Sequence, residues 1–273
     1  MERATILGIY DFIGYSLCRY LLDEGVEING VDTEGNRKDS FTEEKRLEIG
    51  RNSNFLEISL EDWDAEQAEG ILFVTLFESL QGRHNTYGIY EVLLSELENR
   101  KLKKLPTVVI LPAYFAQEKA ELREARVNSL IYSRDSNLLA LYLPTIYGPW
   151  QPEECFFQQV MSRSLYENKK IPDIGPREWT HDCLYIDDAV KMIKELAESG
   201  LQGQYILSSG EQDRWFKCAE ELLGSGAGLL RNKAAAPAIK NSIKVSTVGE
   251  NEQISKGLSR QKEQFNRIQD SKD

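Results

Sequence analysis

The sequence predicts an α/β fold built on a doubly wound parallel sheet. Two observations carry this. Short apolar runs alternate with segments of helical periodicity from the N-terminus to Pro149, and a turn bounded by glycines joins the first run to the first helical segment. A change of texture after Pro149, where loops dominate, predicts a small C-terminal lobe.

The elements follow in order. Ala4-Thr5-Ile6-Leu7 is an apolar run ending at Gly8 and suits a buried parallel strand. From Asp11 to Asp23, Ile13, Leu17 and Leu21 recur at helical spacing, and Gly25 marks the stop. Residues 26–32 (VEINGVD) predict a second strand ending at Asp32, which completes a βαβ unit. Further strands are expected at 54–58, 71–76, 107–111 and 138–143. Helices are expected at 85–98, with Ile89, Val92, Leu93 and Leu97 on one face, and from about Phe115 to Tyr132.

After Pro149 the chain predicts a helix near Phe156–Leu165 and another following Asp187-Asp188, whose charges suit a helix N-terminus and whose stripe is Val190, Ile193 and Leu196. Residues 224–238 read as a Gly/Ala-rich loop, Val245 and Val248 suggest one short strand, and the polar last fifteen residues are expected to fray. The expected division is an α/β core at 1–149 and a lobe at 150–273, with 184–210 returning to the core.

Composition excludes several function classes. The chain has 273 residues, 41% hydrophobic and 28% charged, with a net charge of -11. So acidic a chain gains nothing from displacing counterions on a nucleic acid, and no nucleic-acid partner is expected. No apolar run approaches the length of a membrane span, and the opening MERATILGIY lacks the pattern of a secretory signal. Four scattered cysteines form no CxxC pair, which suits reduced thiols in a cytoplasmic protein. With only His84 and His181 available, no metal site is expected.

The turn reads Gly8-Ile9-Tyr10-Asp11-Phe12-Ile13-Gly14. Glycines between a strand and a helix bring backbone close to a phosphate and aim helix N–H groups at it. Asp11 stands in the middle and admits two readings: a helix N-cap, or a carboxylate that binds a cation or a cofactor hydroxyl. Asp32 is either a ribose ligand or an ordinary strand-end acid.

Other blocks stand beside this turn: Asn85, Gly88, Val92 and Leu93 in the expected helix; Leu143-Pro144-Thr145-Ile146-Tyr147-Gly148-Pro149; Asp182-Cys183-Leu184-Tyr185-Ile186-Asp187-Asp188; and residues 205–211, YILSSGE. In their order and spacing the chain resembles the extended short-chain dehydrogenase/reductase family, in its nucleotide-sugar epimerase and dehydratase group, over roughly residues 4–220. The resemblance implies a Rossmann-like doubly wound sheet with a small C-terminal substrate lobe. It implies NAD or NADP at Gly8, Asp11, Phe12, Ile13, Gly14 and Asp32, and a nucleotide sugar near Tyr147, Arg177 and His181. A partly buried structural role is the other reading of His181. The resemblance further implies a homodimer, or a heterodimer with a related protein, through the helices matching 85–98 and 115–132. Arg163, Arg177 and Arg231 are candidate diphosphate contacts.

The chain departs from that pattern where chemistry is done. The family's catalytic pair is Tyr-x-x-x-Lys with a Ser or Thr upstream. Here the pair is Tyr114 and Lys119, five apart, which on a helix turns the side chains away from each other. Leu111-Pro112-Ala113 replaces the upstream hydroxyl, Phe77-Glu78 stands where small residues leave room for the dinucleotide, and Ser59 replaces an acid near the adenine. Asp11 opposes a phosphate. The expectation is a degenerate member with weak or absent NAD(P) binding, serving as a nucleotide-sugar-binding or partner protein. The alternative is an active NAD(P)-dependent nucleotide-sugar epimerase, dehydratase or reductase.

Overall fold

A computed structural model of the chain describes residues 1–32, 41–64, 69–78, 106–117, 131, 137–165, 170–230 and 238–270. Among these, the first half contains β1 (Arg3–Leu7), α1 (Phe12–Asp23), β2 (Glu27–Asp32), α2 (Thr42–Ile49), β3 (Phe55–Ser59), β4 (Ile71–Thr75), β5 (Thr107–Pro112), a 3₁₀ turn (Ala113–Ala116), β6 (Leu138–Leu143) and β7 (Thr145–Tyr147). The second half contains α3 (Phe156–Leu165), β8 (Cys183–Tyr185), α4 (Ile186–Glu198), β9 (Gly203–Ser208), α5 (Arg214–Leu223), a 3₁₀ segment (Gly224–Leu230), β10 (Lys244–Thr247) and α6 (Ile254–Asp270).

Eight strands form one sheet in the order β10-β9-β6-β5-β4-β1-β2-β3, and every neighbouring pair is parallel. β7 and β8 pair separately. Central strands β5 (TVVILP) and β6 (LLALYL) are buried along their whole length, which is why they read as unbroken apolar runs rather than as alternation. Successive side chains go to opposite faces. Ile6, Ile28, Phe73, Ile110 and Leu141 belong to one cluster, which α1 and α4 share. Leu7, Val31, Val74, Val109 and Leu111 belong to the other, together with Phe115, Ala116, Ile131, Trp179 and Ile243. Each fully buried Leu, Ile or Val contributes about 1.5–3 kcal/mol relative to exposure.

The parallel sheet and the helix over 11–23 match the sequence reading, and the strand suggested near Val245 is the edge strand β10. The helix expected from about Phe115 to Tyr132 differs at its start, while residues 118–130 and 132 lie outside the described residues. Ala113–Ala116 is a 3₁₀ turn, and Gln117 leaves it in an extended conformation to pair with Ile239. Lys240 N–H donates to the Ala116 carbonyl at 3.0 Å, so a distant strap takes the backbone bond a helix would have used. The expected helix 85–98, with Asn85, Gly88, Val92 and Leu93, lies outside the described residues, as does Arg231.

The C-terminus is a second correction. Instead of fraying, residues 254–270 form α6, with Leu258, Phe265 and Ile268 buried. The polar centre of its buried seam is Gln261, wholly inaccessible, whose amide donates to Gln151 Oε1 at 2.7 Å and Gln158 Oε1 at 2.8 Å. Its carbonyl accepts the Gly148 N–H at 3.0 Å. A buried amide so fully partnered fixes a helix that an apolar-stripe rule passes over. The first half of the expected loop at 224–238 is also regular, as the 3₁₀ segment.

Candidate functional site

Strand order reverses direction between β1 and β4, and ligands of open α/β sheets bind in the crevice at the carboxyl ends of such strands. The turn after β1 lies there. Gly8 has φ +83°, and a Cβ on it would come within 2.2 Å of Thr75 Oγ1. A Cβ on Gly14 would lie 2.0 Å from the Gly8 carbonyl oxygen, so the first turn of α1 sits directly on the preceding loop. Phe12 and Ile13 are buried in the core beneath. Both glycines are therefore required by the turn itself, whatever it binds.

Asp11 occupies the N-cap position of α1, but its side chain makes no capping hydrogen bond. This corrects the local reading. Its Oδ2 lies 3.2 Å from the Thr75 hydroxyl, which is also 2.8 Å from the Leu7 carbonyl and can serve one of these acceptors at a time. The cap comes from elsewhere. The Glu78 carboxylate, just beyond β4 and 5% exposed, accepts the N–H of Phe12, the first residue of α1. A helix N-terminus carries partial positive charge and unsatisfied N–H groups, the features that hold a phosphate. Here a carboxylate of the same chain takes that place, with a second carboxylate beside it.

The acid at the end of β2 also has a partner within the chain. Asp32, at the end of β2, lies 3.4 Å from Arg46 Nη2. The Arg46 guanidinium also meets Glu57 at 2.9 Å and Glu43 at 2.6 Å, and it stacks 4.9 Å from the Tyr10 ring centre. The Glu57 hydrogen bond holds its pKa above the ordinary arginine range. Lys45, 3% exposed, donates to the Tyr10 carbonyl at 2.7 Å and lies 5.6 Å from the Tyr15 ring centre. Asp32 thus takes part in a charged network. Lys45 and Arg46, which organise this corner, were hidden in the sequence within a run of charges, TEEKRLEI.

Of the two catalytic candidates only Tyr114 lies among the described residues. Tyr114, in the 3₁₀ turn, packs with Phe115 (ring centres 5.9 Å apart) against the cluster containing Leu7, Val74 and Leu111. Lys119 lies outside the described residues. Tyr147 belongs to the opposite cluster and is wholly buried between Tyr185 and Phe157, with ring centres at 5.6 and 6.1 Å. Burial pushes its phenol pKa up. Gly257 of α6 approaches so closely that a Cβ there would lie 2.9 Å from the Tyr147 ring. Tyr147 therefore shapes the core and does not face a cleft.

Arg177 does line a cleft, with Phe77, Ala113, Leu143 and Trp179 at the ends of β5 and β6. That cleft holds about 10 Å³, the room of one water. His181 packs edge-on against Trp179 at 5.5 Å, and burial lowers its pKa below 6.5. The structure thus groups Arg177 with His181 through Trp179, and separates both from Tyr147. Among the described residues no group of three or more His, Cys, Asp or Glu is placed to hold a metal, and no helix is long and apolar enough to cross a membrane.

No protein-family model matches the chain. The uncharacterized protein YjaV of Bacillus subtilis (strain 168) is 28% identical over 126 residues, 45% of this chain and 68% of that protein. Among solved structures, the chain is similar to a UDP-glucuronic acid 4-epimerase from Bacillus cereus in complex with NAD (17% identity, 97% of this chain and 99% of that one, TM-score 0.69). It is also similar to a dTDP-glucose 4,6-dehydratase from Bacillus anthracis str. Ames in complex with NAD (14% identity, 98% and 97%, TM-score 0.66). A third is TunA, an NAD-dependent NDP-hexosamine 5,6-dehydratase involved in tunicamycin biosynthesis (15% identity, 98% of each chain, TM-score 0.64). The residues at the α1 start do not fit a dinucleotide, since Glu78 already holds the N–H that a pyrophosphate would meet. What the likeness carries, over nearly the whole chain, is the fold: this protein is built as the NAD-dependent nucleotide-sugar epimerases and dehydratases are built.

Proposed function

We propose that this chain uses an epimerase/dehydratase fold for binding or assembly, without dinucleotide-dependent hydride transfer. The observation that carries the reading is the Glu78 carboxylate seated on the Phe12 N–H at the switch point. Burial of Asp11 beside it, the pairing of Asp32 with Arg46, and the packing of Tyr114 into an apolar cluster act in the same direction. On this reading residues 1–149 keep the architecture of a cofactor core and 150–273 supply its lobe. A nucleotide sugar or a protein partner, a second copy or a relative, takes the role the cofactor would otherwise anchor. Four buried free cysteines suit a reducing compartment.

The rival reading, an active nucleotide-sugar epimerase or dehydratase, draws on the intact Gly8–Gly14 turn and on the NAD bound by the solved relatives. Calorimetric titration of the full chain with NAD and with NADP separates the two. The proposal expects no saturable heat at millimolar ligand, and a micromolar dissociation constant for either dinucleotide would overturn it.

A further inference from the structure

Cys183 opens β8, and Cys218 lies midway along α5, 35 positions later. Their sulfurs are 3.4 Å apart, and both side chains are wholly inaccessible. The two atoms are already in contact, and the remaining approach to a disulfide's roughly 2.05 Å is within reach of a side-chain rotation. We propose that Cys183 and Cys218 form a redox lock, a dithiol that an oxidant of the disulfide class, such as oxidized glutathione, converts to a bond pinning α5 to β8.

The lock joins two elements that are otherwise held only by packing and hydrogen bonds. β8 pairs with β7 in a small sheet apart from the main one, and α5 packs on α3 and α6. Arg214, 2% exposed, anchors the start of α5 through Glu211 and the Glu252 carbonyl. Other features at that start weaken it. Asp213 is left-handed, at φ 57°, and its side chain makes no capping bond. Among the described residues the Arg214 Nε and Trp215 Nε1 donors are buried without an acceptor. Unmatched buried donors cost stability, which lowers the cost of releasing α5 in a local opening.

Such an opening is a necessary step, because in the closed fold neither sulfur meets solvent. Burial also pushes the Cys183 thiol well above its ordinary range, with Cys218 and Asp182 adding to the rise and Arg214 opposing it. The closed pair is therefore inert as a nucleophile. Once α5 lifts, one cysteine thiolate attacks the oxidized glutathione bond and displaces the first glutathione. The other cysteine attacks the mixed disulfide and displaces the second. Two electrons pass from the cysteines to the oxidant, and their two protons leave on the glutathione thiols. When α5 recloses, the bond is sealed from reductants as the thiols were from oxidants. Cys18, in α1, and Cys155, at the cleft beside Arg177, take no part.

The test is overnight incubation of the full native chain with millimolar oxidized glutathione, followed by acid quenching and a count of free thiols in denaturant. The expected result is a fall from four thiols per chain to two. Peptide mapping of the unreduced product then joins Cys183 to Cys218. The cross-linked chain melts roughly 5 °C above the reduced one, since the bond closes a long loop of the unfolded chain. Urea below the unfolding transition speeds the loss of thiols, because it populates the opened state. Four thiols remaining after incubation overturns the proposal. So does a map that joins any other pair, or one that shows glutathione adducts without a cross-link. A cross-linked chain that melts below the reduced one overturns the lock, and a rate indifferent to urea overturns the opening of α5.

Discussion

Glu78→Gln isolates the charge that the α1 start holds, because it preserves the shape of the side chain and leaves an oxygen for the Phe12 N–H. A phosphate arriving there meets Glu78 and Asp11 together. At about 5 Å and an effective dielectric near 20, one carboxylate repels one phosphate charge by roughly 3 kcal/mol. Solvent screening reduces this, so relief from one carboxylate is worth about tenfold to a hundredfold in affinity. The same substitution weakens a charge-assisted bond at a helix N-terminus, at a cost of about 1 kcal/mol and a melting temperature lower by roughly 2–3 °C. The assay is calorimetry with NAD on four proteins: wild type, Glu78→Gln, Asp11→Gly and the double variant. Affinity should rise in each single variant and most in the double, while Glu78→Gln melts slightly earlier than wild type. A double variant that is folded by circular dichroism yet binds no better than wild type would refute the electrostatic argument. A higher melting temperature for Glu78→Gln would refute the capping role.

Two further outcomes are expected. Gln261→Leu leaves the Gly148 N–H and the carbonyls of Gln151 and Gln158 without their partner, and should lower stability by about 3 kcal/mol in urea denaturation; a neutral result would mean the site relaxes around leucine. For His181, burial lowers the folded pKa below 6.5, so the unfolded chain takes up the proton first as pH falls. Its contribution to stability is present above about pH 6.5 and is lost as pH drops through the folded value, so wild type should lose more stability than His181→Gln between about pH 7.5 and 5.5. Equal losses would remove His181 as the cause.

The central strands were legible because a strand covered on both faces writes itself as an unbroken apolar run, as Leu138–Leu143 does. Gly8 and Gly14 were legible because only glycine fits the contacts the turn makes. The cap was not. Local rules assign it to Asp11, but the register of β4 beside β1 brings Thr75 to Asp11 and Glu78 to Phe12, a contact spanning 66 positions. Phe77-Glu78 could be flagged as bulk where small residues were expected, yet nothing local shows where the carboxylate reaches. Packing is a reading the sequence supports for Tyr147, but its complete burial is not legible, because that depends on Gly257, in a segment whose polar seam hides a helix. Arg46 escaped notice because a charged helix of eight residues reads as solvated surface until its partners on β2 and β3 are known.

A fold that depends on a diffusible ligand is stabilised in proportion to the logarithm of that ligand's concentration, by about 2.7 kcal/mol at a hundredfold excess over the dissociation constant. Glu78 is the same kind of occupant, an anion on a helix start, but it is tethered to β4 and its effective concentration is set by the chain. It is never diluted, competed away or consumed. On the proposed reading the folded population of this protein is uncoupled from the supply of dinucleotide in the cell. Its melting temperature should then be the same with and without added NAD.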